Sequence, residues 1–217
     1  MQQAQRNYAR ELEDLLARLQ AAGETPRVLL HACCAPCSSA VLERLSRSFR
    51  IDILYYNPNI APESEYIRRR EELERLLREM PLANPVRLIP CDYDGPAFEE
   101  IARGLEDAPE GGARCMKCFR LRLEKAAQAA RDGKYDYFTT TLTLSPLKNA
   151  RALNEIGEEV GALYGVRHLP GDFKKKDGYK RSLELSREYG LYRQDYCGCV
   201  YSKAERQRKK EDPSAQG

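Results

Sequence analysis

Short apolar runs alternate with amphipathic stretches along most of this chain. Apolar runs that predict strands cover residues 27–32, 51–56, 86–90, 135–142 and 166–170. Around them, apolar side chains recur at helical spacing over 2–22, 39–49, 62–79, 96–104, 149–164 and 178–190, and a further helix is expected from 115 onward. Strands that alternate with helices predict an α/β fold with a doubly wound, mostly parallel five-stranded sheet and flanking helices.

Three cysteines directly follow the first predicted strand. Cys33, Cys34 and Cys37 stand within five positions, and a helix is expected to open at Ser38-Ser39. Backbone N–H groups at a helix N-terminus favour negative charge, so we expect this turn to lower the pKa values of its thiols. If the fourth strand lies beside the first, Cys33 and Cys34 face residues 139–148 across the crevice where doubly wound sheets bind ligands.

The chain of 217 residues has eight cysteines, and only Cys91 stands outside three groups. The groups are Cys33/Cys34/Cys37, Cys115/Cys118 and Cys197/Cys199. No apolar stretch is as long as a membrane span, and no signal-peptide pattern precedes the first helix. We therefore expect a cytoplasmic protein without a membrane partner, in which clustered thiols bind metal or react rather than form disulfides.

Seven thiols exceed the four ligands of one tetrahedral zinc or one four-iron cluster. They suit one cluster plus a second metal with an open position. Zinc is the competing interpretation, because Cys-x-x-Cys pairs bind it in many folds. The Cys33-Cys34 doublet and the tight Cys197-Gly198-Cys199 fit the usual spacing of zinc ligands poorly. The net charge of +3 permits a polyanionic partner without requiring one.

Several separated motifs, in order along the chain, resemble the epoxyqueuosine reductase QueH family over about residues 27–202. The motifs are His31-Ala32-Cys33-Cys34-Ala35-Pro36-Cys37, Tyr56-Asn57-Pro58-Asn59-Ile60, Cys115-Met116-Lys117-Cys118, Thr139-Thr140-Thr141-Leu142 running on to Ser145-Pro146, and Gly190-Leu191-Tyr192-Arg193-Gln194-Asp195-Tyr196-Cys197-Gly198-Cys199. The resemblance implies a HUP-like fold with a cysteine-rich, metal-binding C-terminal segment. It also implies a reaction on tRNA, in which epoxyqueuosine in the anticodon loses its epoxide oxygen and becomes queuosine.

The resemblance further implies a cobalamin-independent oxidoreductase that uses a 4Fe-4S cluster, an adjacent mononuclear iron and an external electron donor. On this basis we expect the cluster on Cys34, Cys115, Cys118 and Cys197. The iron, and with it catalysis, is expected on Cys33, Cys37 and Cys199. Related sequences that carry Asp in place of Cys37 support the iron assignment, since either side chain can ligate it.

The polar residues give weaker signals. Candidate substrate-binding residues are Asn57, Asn59, Thr141, Lys148 and Tyr196, and Asp92, Asp195 and Tyr196 are equally acceptable proton donors. We expect one domain over 1–202 and a basic, polar, disordered tail over 203–217. The N-terminal helix and this tail lie outside the resemblance.

Two other functions remain open. An ATP-dependent tRNA thiolase of the same fold would need a Gly/Ser-rich pyrophosphate loop after the first strand, and the turn from Cys33 to Cys37 has no glycine. A zinc-stabilised RNA-binding module would use the same thiols without catalysis.

Overall fold

A five-stranded parallel sheet forms the centre of the molecule, which a computed structural model describes over residues 6–211. The strands are β1 (Arg27–His31), β2 (Arg50–Leu54), β3 (Val86–Ile89), β4 (Tyr137–Thr140) and β5 (Arg167–His168). Their order is β3-β2-β1-β4-β5, with all pairs parallel. This order confirms the predicted doubly wound sheet, and its switch point lies between β1 and β4, where His31 pairs with Thr140.

Eight α-helices and one 3-10 helix surround the sheet within the described residues. They are α1 (Tyr8–Ala22), α2 (Ala35–Leu45), α3 (Glu63–Glu79), α4 (Gly95–Ala102), α5 (Ala113–Asp132), the 3-10 helix Thr141–Leu144, α6 (Ala150–Tyr164), α7 (Gly178–Glu188) and α8 (Val200–Glu211). None of these helices has the combination of length and apolar composition that a bilayer crossing requires.

The helices divide between the two faces of the sheet because side chains alternate along each strand. Val28 and Leu30 pack with α1, α2, α3 and α7 in one apolar cluster. Leu29 and Phe138 point to the other face, where they pack with α5 and α6. A third, smaller cluster joins α4, the beginning of α5 and the beginning of α8, and it includes the thiols of two cysteines.

Helix α2 begins at Ala35, three residues earlier than the expected opening at Ser38-Ser39. Pro36 is compatible with this start because it lies in the first turn, where its missing N–H would have no partner within the helix. Cys34 is the N-cap residue, and Ser38 Oγ donates to the carbonyl of Cys34 at 2.8 Å. The turn between β1 and α2 is therefore only three residues long, and Cys37 already lies inside the helix.

The predicted disordered tail is wrong over residues 203–211, which belong to α8, and 212–217 lie outside the described residues. Ion pairs explain the helix: Lys210 and Arg206 both contact Asp195, and Lys209 pairs with Glu205 one turn away. Residues 2–5 of the predicted first helix also lie outside the described residues, and α1 begins after its N-cap Asn7.

Candidate metal centre

The thiols of Cys33, Cys34 and Cys37 form a compact group at the carboxyl end of β1. All three Sγ atoms lie within 4.8 Å of one another, and those of Cys33 and Cys34 are 3.8 Å apart. None of the three forms a disulfide. The extended backbone of Cys34 and the first turn of α2 bring the three sulfur atoms together, so the group depends on the short turn between strand and helix.

The three thiols differ in the direction in which their pKa values are shifted. Hydrogen bonds from the thiols of Cys34 and Cys37 lower the pKa of Cys33. The same contacts with the Cys33 sulfur, together with burial, raise the pKa values of Cys34 and Cys37. The expected general lowering of thiol pKa at this turn is therefore confirmed only for Cys33, and its main cause is the neighbouring thiols rather than the helix N-terminus.

The segment after β4 faces this group, as the strand order predicts. The hydroxyl oxygen of Thr141 lies 3.4 Å from the Cys33 backbone nitrogen and 3.6 Å from its sulfur. Thr141 begins the 3-10 helix, although the threonine-rich run over 135–142 predicts a longer strand. The strand ends early because the Thr140 hydroxyl accepts from the Leu142 N–H at 3.1 Å and turns the chain.

Four further thiols line a second, narrower cavity, which we call the four-cysteine cavity. Cys115 and Cys118 come from the first turns of α5, and Cys197 and Cys199 come from the segment before α8. The Cys115 sulfur accepts from the Gly111 N–H at 3.2 Å, and the Cys199 sulfur accepts from the Ser202 N–H at 3.4 Å. Residues separated by some 80 positions in sequence thus meet around one space.

Gly198 allows Cys197 and Cys199 to line the same cavity. Its φ of 122° is a conformation that side chains rarely permit. A Cβ atom at this position would lie 2.9 Å from Ile60 Cγ1 and 3.0 Å from Arg69 Nη1. The Gly198 carbonyl also accepts from the Ala61 N–H at 3.0 Å, which fixes the segment against the loop after β2.

A larger pocket of about 320 Å³, the thiol pocket, opens over Cys33, Cys34 and Cys37. Cys197 lines both this pocket and the four-cysteine cavity, so the two spaces adjoin. Lys148 and Tyr196, two of the predicted substrate-binding residues, line the thiol pocket. Burial opposes the charge of Lys148, but the thiols of Cys197, Cys33 and Cys37 outweigh it and raise the pKa of the ammonium group.

The two predicted asparagines lie elsewhere. Asn57 is buried and makes internal bonds, donating to the Ala32 carbonyl at 2.8 Å and accepting from Arg122 at 2.5 Å. Asn59 lines the four-cysteine cavity, and its buried Oδ1 has no hydrogen-bond partner within the described residues. Neither amide lines the thiol pocket.

The cysteine outside the three groups and the expected proton donors differ in whether they lie at the thiol pocket. Cys91 does not line either thiol-bearing space, and its thiol donates to the carbonyl of Asp92. Asp195 lines the thiol pocket, where hydrogen bonds from Lys210 and Arg206 lower its pKa and keep it ionised. Of the three expected proton donors, only Asp195 and Tyr196 therefore lie at the pocket.

Three buried arginines surround the thiols, and sequence reasoning missed all of them. Arg69 bonds Glu65 and the Cys197 carbonyl, and Arg114, the residue before Cys115, bonds the carbonyls of Leu105 and Glu106. Arg122 is 1% exposed and interacts electrostatically with cysteines of both thiol groups. Its position four residues after Cys118 on the apolar face of α5 was the available signal, since such residues share one side of a helix.

The donor set fits a metal. Every cysteine of the chain is free, seven sulfur atoms line two adjoining spaces, and thiolates are strong ligands for iron–sulfur clusters and zinc. Clustered thiolates repel one another unless cations offset them. Lys148 and the guanidinium of Arg122 supply that positive charge at the site.

Comparisons with known proteins agree on one family. The model of the family described as "Epoxyqueuosine reductase QueH" matches residues 28–205. A relative from Staphylococcus epidermidis with that name is 44% identical over 200 residues, which are 90% of this chain and 84% of the relative. Relatives of the same name from Streptococcus pyogenes and Thermotoga maritima are 41% and 38% identical, and the matches cover 90% and 84% of this chain and 78% and 93% of theirs.

Proposed function

Because the chain belongs to the epoxyqueuosine reductase QueH family, we propose that it reduces epoxyqueuosine in tRNA anticodons to queuosine. The observation that carries the proposal is the meeting of seven thiols in two adjoining spaces, one of which opens to a pocket of about 320 Å³. A pocket of this size accommodates a small ligand such as a nucleobase with its substituent. The reaction belongs in the cytoplasm, where tRNA and a reducing environment coexist.

The two thiol groups are the proposed ligand sets of two metals. Cys115, Cys118, Cys197 and Cys199 match the four thiolates of a 4Fe-4S cluster. Cys33, Cys34 and Cys37 would hold a mononuclear iron and leave an open position toward the pocket. This partition exchanges Cys34 and Cys199 relative to the sequence expectation, because Cys34 lies with the first group and Cys199 with the second.

Removal of the epoxide oxygen as water requires two electrons and two protons. When bound, a cluster supplies electrons one at a time and an open-sided iron acts as a Lewis acid toward an oxygen ligand. The electrons come from an external donor. The two ligand sets adjoin because Cys197 lines both spaces, so electrons would travel only a short distance from one metal to the other.

The residues of the pocket bind and orient the substrate. The Lys148 ammonium remains charged and donates hydrogen bonds to an epoxide oxygen or a phosphate. Tyr196 offers a phenol whose pKa is raised by burial, so it holds its proton at neutral pH and can donate it to the leaving oxygen. Thr141 is fully buried against Cys33 and orients that thiol rather than touching substrate.

Anaerobic turnover tests this function. Protein purified without oxygen and supplied with a chemical reductant is mixed with tRNA that carries epoxyqueuosine, and the nucleosides are analysed by mass spectrometry. We expect conversion to queuosine with loss of one oxygen atom. Intact epoxyqueuosine after incubation with fully metallated, reduced protein would reject the assignment.

Cysteine variants test the ligand sets. Cys199→Ala should lose the cluster absorption, whereas the sequence expectation predicts loss of the mononuclear iron alone. Cys91→Ala is the matched control, because its thiol lines neither space, and it should keep both metals and activity.

A zinc-stabilised RNA-binding protein is the second candidate function. The observation in its favour is the compact group of Cys33, Cys34 and Cys37, whose sulfur atoms lie within 4.8 Å of one another, close enough to ligate a single tetrahedral ion. Zinc at a ratio of one per chain, without acid-labile sulfide, would support this candidate and remove the redox mechanism.

A further inference from the structure

Arg122 occupies a position that a charged side chain rarely takes. It belongs to α5, contacts His31 and Asn57 in the interior, and is 1% exposed. Its Nη2 donates to Asn57 Oδ1 at 2.5 Å, its Nε lies 3.3 Å from His31 Nε2, and it hydrogen-bonds the Cys118 thiol. The residue therefore links the end of β1, the loop after β2 and the helix that carries Cys118.

No carboxylate pairs with Arg122 within residues 6–211. Asn57 is an uncharged amide, and His31 Nε2 accepts from Arg122 Nε, which only an uncharged imidazole can do. A buried guanidinium without an anionic partner is destabilising, because nothing compensates for the loss of its hydration. The other electrostatic partners of Arg122 are the sulfur atoms of Cys118, Cys33 and Cys197, which come from both thiol groups.

From this geometry we propose that Arg122 is the fixed counter-charge of the metal centre and a positioning residue that raises its reduction potential. The inference rests on the proposed function, since it requires a redox-active centre on these thiols. Its basis is the burial of a full positive charge beside sulfur ligands with only neutral groups as other partners. Net charge and hydrogen bonds to sulfur are among the protein features that set the potential of an iron–sulfur cluster.

The direction of the effect follows from charge. Reduction adds an electron to the cluster, so the reduced form carries one more negative charge. A nearby cation stabilises the reduced form more than the oxidised form. Arg122 therefore makes the centre easier to reduce, and a lost or neutralised guanidinium makes it harder.

Three variants distinguish the effect of the Arg122 charge from the effect of its side-chain shape. Arg122→Met removes the charge and keeps an apolar side chain of similar reach, and Arg122→Lys keeps the charge. Asn57→Asp leaves Arg122 in place but sets a carboxylate at the atom that now lies 2.5 Å from its Nη2. Asn154→Asp is the matched control, because Asn154 is also a fully buried amide with backbone partners but lines neither thiol-bearing space.

The experiment is a spectroelectrochemical titration of each anaerobically purified variant, with cluster absorption and thermal unfolding recorded in parallel. At a fixed potential we expect the ratio of reduced to oxidised cluster to fall about tenfold in Arg122→Met and Asn57→Asp, which is about 59 mV for one electron. Arg122→Lys and Asn154→Asp should titrate close to the unsubstituted protein, even where Asn154→Asp lowers the melting temperature.

The results distinguish a wrong role for Arg122 from a wrong function for the protein. Equal potentials in all variants that contain the cluster would overturn the role of Arg122. Loss of the cluster from Arg122→Met and Asn57→Asp, with retention in Arg122→Lys and Asn154→Asp, would support it, because charge alone divides the two pairs. Absence of any cluster from the unsubstituted protein would instead reject the proposed function, and this inference with it.

Discussion

Cys37 differs from its two neighbours because it lies inside the first turn of α2 rather than in the turn before it. We expect Cys37→Asp to keep the cluster spectrum and part of the turnover, since a carboxylate is a suitable ligand for an oxophilic iron. Cys37→Ala should keep the cluster but lose the mononuclear iron and most turnover. Mössbauer spectra and single-turnover assays of the two variants measure this. Loss of the cluster from Cys37→Ala would assign Cys37 to the other metal.

Leu147 is an apolar side chain at the mouth of the thiol pocket and is 70% exposed. A short turn presents it, in which the Lys148 N–H donates to the Ser145 carbonyl at 3.2 Å. A base that reaches the thiols must leave its stack, and proteins often insert an apolar wedge into stacked bases.

We expect Leu147→Ala to raise the KM for epoxyqueuosine tRNA about tenfold, or about 1.4 kcal/mol. Leu163→Ala is the control, since Leu163 is equally exposed but does not line the pocket, and its KM should stay within about twofold. The same KM change in both variants would exclude a specific contact at Leu147. Steady-state kinetics with tRNA as the varied substrate gives the comparison.

For individual residues, the sequence identifies the candidate thiol ligands but not the charged side chains that interact with them. Cysteines cluster by spacing, so seven ligand candidates can be read without a structure. Arg122 and Lys148 cannot be recognised as counter-charges in this way, because single basic residues usually lie on solvated surfaces. The asparagines beside Pro58 stay untested as substrate contacts, and the sequence does not reveal that Asn57 is buried in internal hydrogen bonds or that Asn59 lines the four-cysteine cavity.

The conformation of the segment Cys197–Cys199, which precedes α8, depends on Gly198. Gly198→Ala should lower the melting temperature and the metal content together, because a Cβ atom would approach Ile60 and Arg69 and φ is positive. A strain of about 1–3 kcal/mol is expected. Gly165→Ala is the control for backbone strain alone, since Gly165 also has positive φ but no atom within 4 Å of the added Cβ.

Metal analysis and thermal unfolding of the two glycine variants separate these effects. Gly165→Ala should be destabilised by about 1 kcal/mol and keep full metal content. If Gly198→Ala retains the metal content of the unsubstituted protein, the close approach at this position is unimportant for the centre.

The end of β4 and the helix α8 differ from what the local sequence pattern predicts. The β propensity of the threonine run predicts a strand through residue 142, but a side-chain hydrogen bond from Leu142 N–H to Thr140 ends it. Likewise, the basic composition over 203–211 is typical of a disordered tail, and only the tertiary pairing of Asp195 with Arg206 and Lys210 stabilises α8 there. Both features depend on contacts that periodicity does not encode.

At the scale of the whole molecule, Asp52 connects several strands of the sheet. Its carboxylate is 5% exposed and accepts from Arg87 at 2.8 Å, from Tyr135 at 2.7 Å and from Arg27 at 3.3 Å. Burial alone would raise the pKa of Asp52, but the hydrogen bonds from Arg87 and Tyr135 outweigh it and lower the pKa. This carboxylate therefore stabilises the fold above its unfolded pKa of about 3.9, and the stabilisation is lost as the pH falls through the folded value.

We expect Asp52→Asn to lower the free energy of unfolding by about 2 kcal/mol at pH 7. The difference from the unsubstituted protein should begin to shrink as the pH falls below about 4, where the unfolded carboxyl takes up a proton, and should be lost below the lower folded pKa, where both proteins carry a neutral group. Urea unfolding at pH 7 and at about pH 3, on metal-free samples of both proteins, measures the change. A difference that is independent of pH would show that the Asp52 charge does not contribute.

The architecture itself was the most predictable part of the molecule. Alternating apolar and amphipathic segments bury both faces of a parallel sheet, so the strand count follows from pattern, whereas the position of β1 beside β4 was a condition that the fold then met. The meeting of Cys115, Cys118, Cys197 and Cys199 does not follow in this way. It depends on how α5 and the segment before α8 pack at the end of the sheet, which requires the folded chain.

Metal and sulfide analysis of anaerobically purified protein decides between a redox centre and a zinc site. We expect about five irons and about four acid-labile sulfides per chain, for one cuboidal cluster and one mononuclear iron. Iron, zinc and sulfide are quantified on the same sample. Stoichiometric zinc without acid-labile sulfide would rule out the two-metal redox centre.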